Sequence, residues 1–481
     1  MSVNELEIYQ LLNKIDTSKA TNSADFPSWM TKNNSHLLCE PITHLINSIL
    51  SCGKFPTLWK KAEISPLNKT KNPTSFKDLR PISLLWHIGK ITEKVIANHL
   101  RLDTPSLPNQ FAYKQSVGTT DALVKMTTDI ITDLDKIDTI ASRAVMLDFS
   151  KAFDRMCPST AVRKMLLLNI NPSLIALVGD FLSSRSQCVK YQGCVSSYQN
   201  SFIGVPQGTI LGPLLWNIFI NDLTPATNHV KYADDTTLYH SIFKNSAMVT
   251  ASTTNTATLQ LLTDPLQEAT TYAADWSNDN QMLLNTTKSS TITFTLKKSI
   301  FVEDITIYDQ PVMECSTTKL LGVTLDQHMR FSAHVDSIIE KCRPAFHAIS
   351  KLRKAGVNDT SLAHFYQSRI LPIITYAAPM WYPLISQCDR ERLEKYQRLC
   401  LRIILPHVDD TETRLAMTGL DDINVVLGVA CLKYANKVLQ DVHHPLHSYT
   451  QIHRISARSG RVINAKTRTT LLSKSLFHKY L

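Results

Sequence analysis

Apolar residues recur at helical spacing over residues 35–50, at Leu37, Leu38, Ile42, Leu45, Ile46 and Leu50, and Gly53 predicts the stop. The polar stretch 60–78 carries Lys60, Lys61, Lys69, Lys71 and Lys77, with Pro66 and Pro73 as breakers, and reads as a strand and a mobile loop. Helical periodicity returns over 83–100 and 119–131. The short apolar run Ala144-Val145-Met146-Leu147 ends at Asp148, the pattern of a buried strand with a carboxylate at its tip. Helices are expected at 159–168 and 172–182, a strand at 188–191, a turn-rich stretch at 204–213 and a helix at 213–222. Residues 230–238 look strand-like but are broken by Asp234-Asp235, as in a hairpin. Residues 287–309 read as two strands with a turn.

Beyond about residue 325 the pattern is mostly helical. Val335, Ile338, Ile339, Cys342, Phe346, Ile349 and Leu352 share one helical face, and Gly356 is the expected stop. Further helices are expected at 359–378, 387–404 and 421–440, followed beyond 450 by a basic, polar, loosely packed tail. There is no internal repeat and no low-complexity tract.

The chain has 481 residues, enough for two or three domains. Lys and Arg outnumber Asp and Glu by 51 to 41, for a formal charge of +10, which suits a polyanionic partner without requiring one. The ten cysteines show no CxxC and no Cys/His pairing at zinc spacing, so they read as thiols in a reducing compartment. Met1 to Asp16 is polar and helix-like, unlike a signal peptide. The longest apolar run, Ile370 to Ile385, is short for a membrane span and carries Pro372, Pro379 and Pro383. The expectation is a soluble, intracellular protein, cytoplasmic or nuclear, with no membrane partner.

The candidate chemistry lies in the acids. An Asp pair in a turn, or an Asp capping the next helix, is ordinary. Three carboxylates drawn together are not: at about 4 Å and an effective dielectric of about 20, each like pair costs on the order of 4 kcal/mol. A hard divalent cation removes that cost, and oxygen ligands of this kind suit magnesium.

The surrounding residues decide between these readings. Tyr232-Ala233-Asp234-Asp235 resembles the YxDD box of reverse transcriptases. Leu147-Asp148-Phe149-Ser150-Lys151-Ala152-Phe153-Asp154 resembles the first palm motif of that family, and Gly204 to Leu215 the second. Trp276, Asn280 to Asn285 and Lys288 resemble the next motif. Lys319-Leu320-Leu321-Gly322-Val323 resembles the start of the primer grip. Trp59-Lys60, Pro66 to Lys69, Leu79 to Leu84, Asn109 to Tyr113 and Thr119 to Leu123 are similar to the fingers of non-LTR, jockey-like retrotransposon polymerases. Arg369 to Trp381 and Leu393 to Ile404 are similar to their thumb and post-thumb helices.

The resemblance covers about residues 15–405 and implies an α+β right-hand polymerase: fingers, a palm with an antiparallel sheet, a helical thumb and a helical C-terminal extension. Its expected divisions are 1–52 as an N-terminal helical extension, 53–315 as fingers and palm, 316–407 as thumb and connecting helices, and 408–481 as a helical, basic extension. It implies two Mg²⁺ ions (Mn²⁺ being an alternative) about 3.5–4 Å apart on Asp148, Asp234 and Asp235, helped by the Phe149 carbonyl. It implies an RNA template, a DNA primer and a deoxynucleoside triphosphate. Phe153 would be the steric gate against a ribose 2′-hydroxyl. Gln207 and Gly208 would touch the incoming nucleotide, and Arg80 would clamp its triphosphate. Lys69 is the favoured lysine partner, with Lys71 and Lys77 as rivals that spacing does not separate. Lys288 would protonate pyrophosphate, and Leu321 and Gly322 would belong to the primer grip.

Two stretches depart from the family. Ser23-Ala24 stand before Asp25 where the family has Gly-Pro, and Gln115-Ser116-Val117-Gly118 replaces a more basic stretch. Neither endonuclease usual in such elements has room here, so a truncated or domesticated copy is expected. A non-catalytic RNA-binding copy of the fold is the alternative reading, opposed by the intact acids, Gln207 and Phe153. A splicing maturase of the same fold is opposed by the thumb-like helices.

Overall fold

The computed structural model describes residues 1–105, 107–244, 247–251, 257–261, 264–296, 300–451, 453–455, 462–464 and 467–481. For 77, 247–251, 257–261, 301, 453–455 and 462–464 it describes the backbone alone. The protein is mixed α and β, and its chain forms two compact units. The first comprises 1–113, 149–224 and 273–284, and the second 114–148, 225–272 and 285–481.

In the first unit, helix Ser35–Cys52 ends at Gly53, whose φ of +65° is open to glycine without a steric penalty. Ile42, Ile46, Ile49 and Leu50 are its buried stripe, while Leu37 and Leu45 remain exposed. Strand Lys61–Asn68 pairs antiparallel with Leu79–Leu84 and parallel with Arg185–Tyr191. The helix expected from residue 83 begins at His87 instead. Ser83 and Leu84 are held in the strand by pairing with Ile64 and Glu63. Asp25 fixes the new start: its carboxylate accepts from the His87 amide at 2.7 Å and lies 2.6 Å from the His87 ring. Where the family's Gly-Pro is missing, the Ser23 amide and hydroxyl instead donate to the buried Glu63 carboxylate. Helix Leu211–Phe219 replaces the expected 213–222, and Pro213 is tolerated because a first-turn amide has no partner to lose.

The second unit is built on a five-stranded sheet in the order Met313–Glu314, Ser290–Phe294, Thr139–Leu147, Asp235–Phe243, Asn228–Tyr232. Thr139–Leu147 is its central strand and is buried along most of its length. Helix Thr119–Asp135 packs on the sheet and buries Leu123, Met126, Ile130 and Leu134. The two strands expected within 287–309 do not form one hairpin. Ser290–Phe294 is taken up by the central strand, and Ile300–Val302 pairs in parallel with Ala257–Leu261 in another sheet. The intervening 297–299 lie outside the described residues.

Helices Ser332–Lys354, Gln387–Ile404 and Ile423–Gln440 follow the expected pattern. The single helix expected over 359–378 is broken into Asp359–Phe365, a π turn at Tyr366–Ile370, Leu371–Thr375 and Ala378–Trp381. Pro372 and Pro379 sit at the starts of new segments, where they cost no hydrogen bond, and Ala377 turns the chain at φ +50°. The apolar run is core: Ile370, Ile374, Ala378 and Trp381 are fully buried. The tail is packed where it is described, with Phe477 buried and Arg468 donating to the carbonyls of Leu134, Asp135 and Lys136. Among the described residues no single helix is long and apolar enough to cross a membrane, although the bent pair Thr411–Thr418 and Ile423–Gln440 has the length and composition.

Asp121 anchors helix Thr119–Asp135. It accepts from the Gly118 amide at 2.6 Å and the Tyr434 hydroxyl at 2.7 Å, with the His444 ring 3.1 Å away. Burial alone would raise its pKa, but these hydrogen bonds outweigh burial and hold it below the usual value. Its stabilisation is therefore complete above the unfolded carboxyl pKa and fades as pH falls through the lower folded one. Asp121→Asn is expected to lose about 2–4 kcal/mol at neutral pH by urea unfolding, and to lose less further stability than wild type between about pH 5 and about pH 3. Equal acid sensitivity in the two proteins would count against this role.

Candidate active site

The three acids come together through sheet pairing in the second unit. Strands Asn228–Tyr232 and Asp235–Phe243 form the expected hairpin, with Tyr232 paired to Asp235. The two-residue turn is Ala233-Asp234, so Asp235 opens the returning strand rather than sitting in the turn. Ala233 takes φ +57°, left-handed backbone that costs a non-glycine residue roughly 1–2 kcal/mol. Leu147 pairs with Thr236, so Asp148 follows one step along the register toward Asp235. The Asp148 backbone is tied on both sides: its amide donates to Ser289 Oγ at 3.2 Å, and its carbonyl accepts from the Asn285 amide at 2.8 Å.

The electrostatics agree with the geometry. Burial, together with the charges of Asp234 and Asp148, pushes the Asp235 carboxyl up to about 6. Burial and Asp148 also raise Asp234. Burial raises Asp148 as well, opposed by Lys288, whose Nζ lies 4.0 Å from Asp148 Oδ2. Such mutually repelling, acceptor-only oxygens are a donor set for a hard cation. Among the described residues no three His, Cys, Asp or Glu side chains form a ready-made cage. Magnesium needs none, because it commonly binds one or two carboxylates and completes its shell with water and substrate phosphates.

Leu321 and Gly322 also lie in the second unit, at the tip of hairpin Thr317–Leu320/Val323–Asp326. Both have positive φ, +45° and +87°, the conformation of a tight two-residue hairpin turn. The Tyr376 hydroxyl donates to the Leu321 carbonyl at 2.7 Å and lies 3.0 Å from Thr119 Oγ1. A Cβ on Gly322 would come within 3.2 Å of the Tyr376 ring. Tyr232 shares this neighbourhood, since burial, Tyr376 and Asp121 raise its pKa.

The first unit holds the remaining candidates. Phe149 is core rather than surface, edge-on to Trp216 and Trp276 at ring-centroid distances of 6.4 and 5.9 Å. Phe153 is half-buried, with its centroid 5.5 Å from that of Trp216. Gln207 Nε2 donates to Asp154 Oδ1 at 3.0 Å, and the Gln207 carbonyl accepts from the Ser83 amide at 2.8 Å. Gly208, at φ +111°, lies so close to strand Leu79–Leu84 that a Cβ would meet the Ser83 carbonyl at 3.0 Å. Arg80 is exposed on that strand opposite Leu67. Lys69 and Lys71 are exposed, the Lys69 amide donating to the Asp78 carbonyl, and the Lys77 side chain lies outside the described residues.

Sequence reasoning missed Ser289, Tyr376 and Glu93. The first two make contacts that no spacing reveals. Glu93 left one signal, a carboxylate on the helix face that carries Ile96, Ala97 and Leu100.

Residues 67–325, more than half of the chain, match the family model described as reverse transcriptase (RNA-dependent DNA polymerase). The chain is 28% identical over 368 residues to the RNA-directed DNA polymerase from mobile element jockey of Drosophila melanogaster, covering 75% of this chain and 39% of that one. It is 29% identical over 383 residues to the probable RNA-directed DNA polymerase from transposon BS of the same fly, covering 75% and 40%. A third relative, the probable RNA-directed DNA polymerase from transposon X-element, is 26% identical over 378 residues, covering 76% and 39%. The chain thus spans about two fifths of the length of these relatives.

Removing one of the three repelling charges should stabilise the metal-free protein. Asp235→Asn is expected to raise Tm in chelator by about 1–3 °C. Added Mg²⁺ should then stabilise wild type more than the variant. A lower Tm for the variant in chelator would show that repulsion does not govern this cluster.

Proposed function

The chain belongs to the reverse transcriptase (RNA-dependent DNA polymerase) family, and on that premise we propose that it is an RNA-directed DNA polymerase of the non-LTR, jockey-like kind. It would extend a DNA primer on an RNA template by adding deoxynucleotides to the 3′-hydroxyl. The observation that carries this reading is the convergence of Asp148, Asp234 and Asp235, where burial together with the charges of Asp234 and Asp148 raises the Asp235 carboxyl to about 6. In this reading the palm lies within 53–315 with the fingers, the thumb and connecting helices in 316–407, and helical extensions at 1–52 and 408–481.

Asp148 and Asp234, with Asp235 beside them, would hold two Mg²⁺ or Mn²⁺ ions, with the Phe149 carbonyl as a further ligand. When bound, the ions would supply acidification of the primer hydroxyl and neutralisation of charge on the departing pyrophosphate. The protein's own work is positioning. Arg80, with Lys69 the favoured lysine, would grip the triphosphate. Gln207 and the open face of Gly208 would meet the nucleotide, and the Phe153 ring would exclude a 2′-hydroxyl. Support for the gate is the packing of the Phe153 ring on Trp216, with centroids 5.5 Å apart. Lys288, beside Asp148, would hold a proton for the pyrophosphate. The Leu321-Gly322 tip would seat the primer end. A catalytically decayed RNA-binding copy is the second reading, and the retained acids speak against it.

Two experiments test these roles. With Mg²⁺ and a poly(rA)/oligo(dT) substrate, Asp234→Asn is expected to lose at least about 10³-fold of wild-type primer extension. Equal product from well-folded wild type and variant would remove the polymerase claim. Phe153→Ala is expected to admit ribonucleotides, raising their use relative to deoxynucleotides by about 10-fold or more. Unchanged sugar selectivity would take Phe153 out of the gate.

A further inference from the structure

The loop carrying Gln207 and Gly208 is fastened along its length within the first unit. At its start, the Gly204 amide donates to the Met156 carbonyl and the Val205 amide to the Phe153 carbonyl, each at 2.9 Å. In its middle, Gln207 is bonded to Ser83 and Asp154. At its end, the chain enters helix Leu211–Phe219, whose own N-cap residue, Ile210, offers no side-chain acceptor. The first amides of a helix need acceptors, and buried ones cannot take water. Here the acceptor comes from a distant helix. Glu93 Oε2 accepts from the Ile210 amide at 2.6 Å and the Leu211 amide at 3.2 Å.

Glu93 is 2% exposed, and burying a carboxylate is costly unless something holds it. The helix N-terminus favours negative charge. Arg185, also buried, attracts it through space and among the described residues has no hydrogen-bond partner at Nε or Nη2. Glu93 belongs to helix His87–Asp103, which directly follows the strand bearing Arg80 and Ser83. Ser83 grips the loop at Gln207, and Glu93 grips it at residues 210 and 211. The segment carrying the triphosphate-clamp candidate and the loop carrying the nucleotide-contacting candidates are thereby joined into one piece.

We propose that Glu93 is a positioning residue for the incoming nucleotide, its carboxylate fixing the Gln207–Gly208 loop against the Arg80 segment. This rests on the polymerase reading above. The test is steady-state primer extension by full-length protein, with dNTP varied, alongside primer–template affinity and thermal melting. Glu93→Ala is expected to raise KM for dNTP about 5- to 20-fold, with kcat within about 3-fold and primer–template Kd within about 2-fold. Glu93→Gln keeps a carbonyl acceptor and should stay within about 3-fold of wild-type KM. Glu93→Asp keeps the charge but is one methylene short, should fall between these two, and carries the test if the alanine variant does not fold.

An unchanged KM for dNTP in the alanine and aspartate variants overturns the proposal. So does a fall in kcat alone, or a glutamine variant as impaired as alanine. Wild type that makes no product overturns the polymerase reading and this inference together, whereas active wild type with indifferent variants overturns this inference alone.

Discussion

The antiparallel pairing of Thr139–Leu147 with Asp235–Phe243 is the constraint on which the candidate site depends. It brings a strand tip and a hairpin turn, nearly ninety residues apart, into one electrostatic field. The arrangement is costly by itself: three carboxylates repel, and Ala233 occupies left-handed backbone. It persists because the register is over-determined. The central strand is paired on both edges and covered by helix Thr119–Asp135, and a one-residue slip would exchange the side chains packed on its two faces.

That helix is itself braced by the end of the chain. Tyr434 bonds Asp121 near its start, and Arg468 bonds the carbonyls at its close. In the middle, Asp129 receives Lys125 from its own helix, Tyr239 from the strand that begins at Asp235, and Tyr449 from the C-terminal segment. Residues beyond 420 therefore brace the helix that packs on the sheet carrying the acids.

The first unit follows a different logic. A loop rich in Gly and Pro makes few hydrogen bonds of its own, so its conformation has to be imposed by neighbours. Gly204 and Gly208 allow backbone approach that a Cβ would block, at 2.8 Å from the Asp154 carbonyl and 3.0 Å from the Ser83 carbonyl. The rings of Phe149, Phe153, Trp216 and Trp276 form one connected aromatic cluster in the same unit.

The chain's local order was largely legible before folding. Periodicity located helices Ser35–Cys52, Ser332–Lys354 and Gln387–Ile404, and it located the strand that ends before Asp148, because apolar spacing is a local property. The YADD hairpin and the order of motifs likewise needed only the sequence. Boundaries settled by competition did not. Ser83 and Leu84 fit a helix until Ile64 and Glu63 engaged their backbones, and 359–378 reads as one helix until Pro372 takes up a segment start and Ala377 turns the chain. The supports of the site were hidden for the same reason. Ser289 behind Asp148, Tyr376 at the Leu321 tip and Glu93 beneath residues 210 and 211 act across tens to more than a hundred residues. Sequence determined which residues could do chemistry; only tertiary pairing decided which backbone groups and charges would hold them, because hydrogen bonds and Coulomb forces depend on distance in space rather than along the chain.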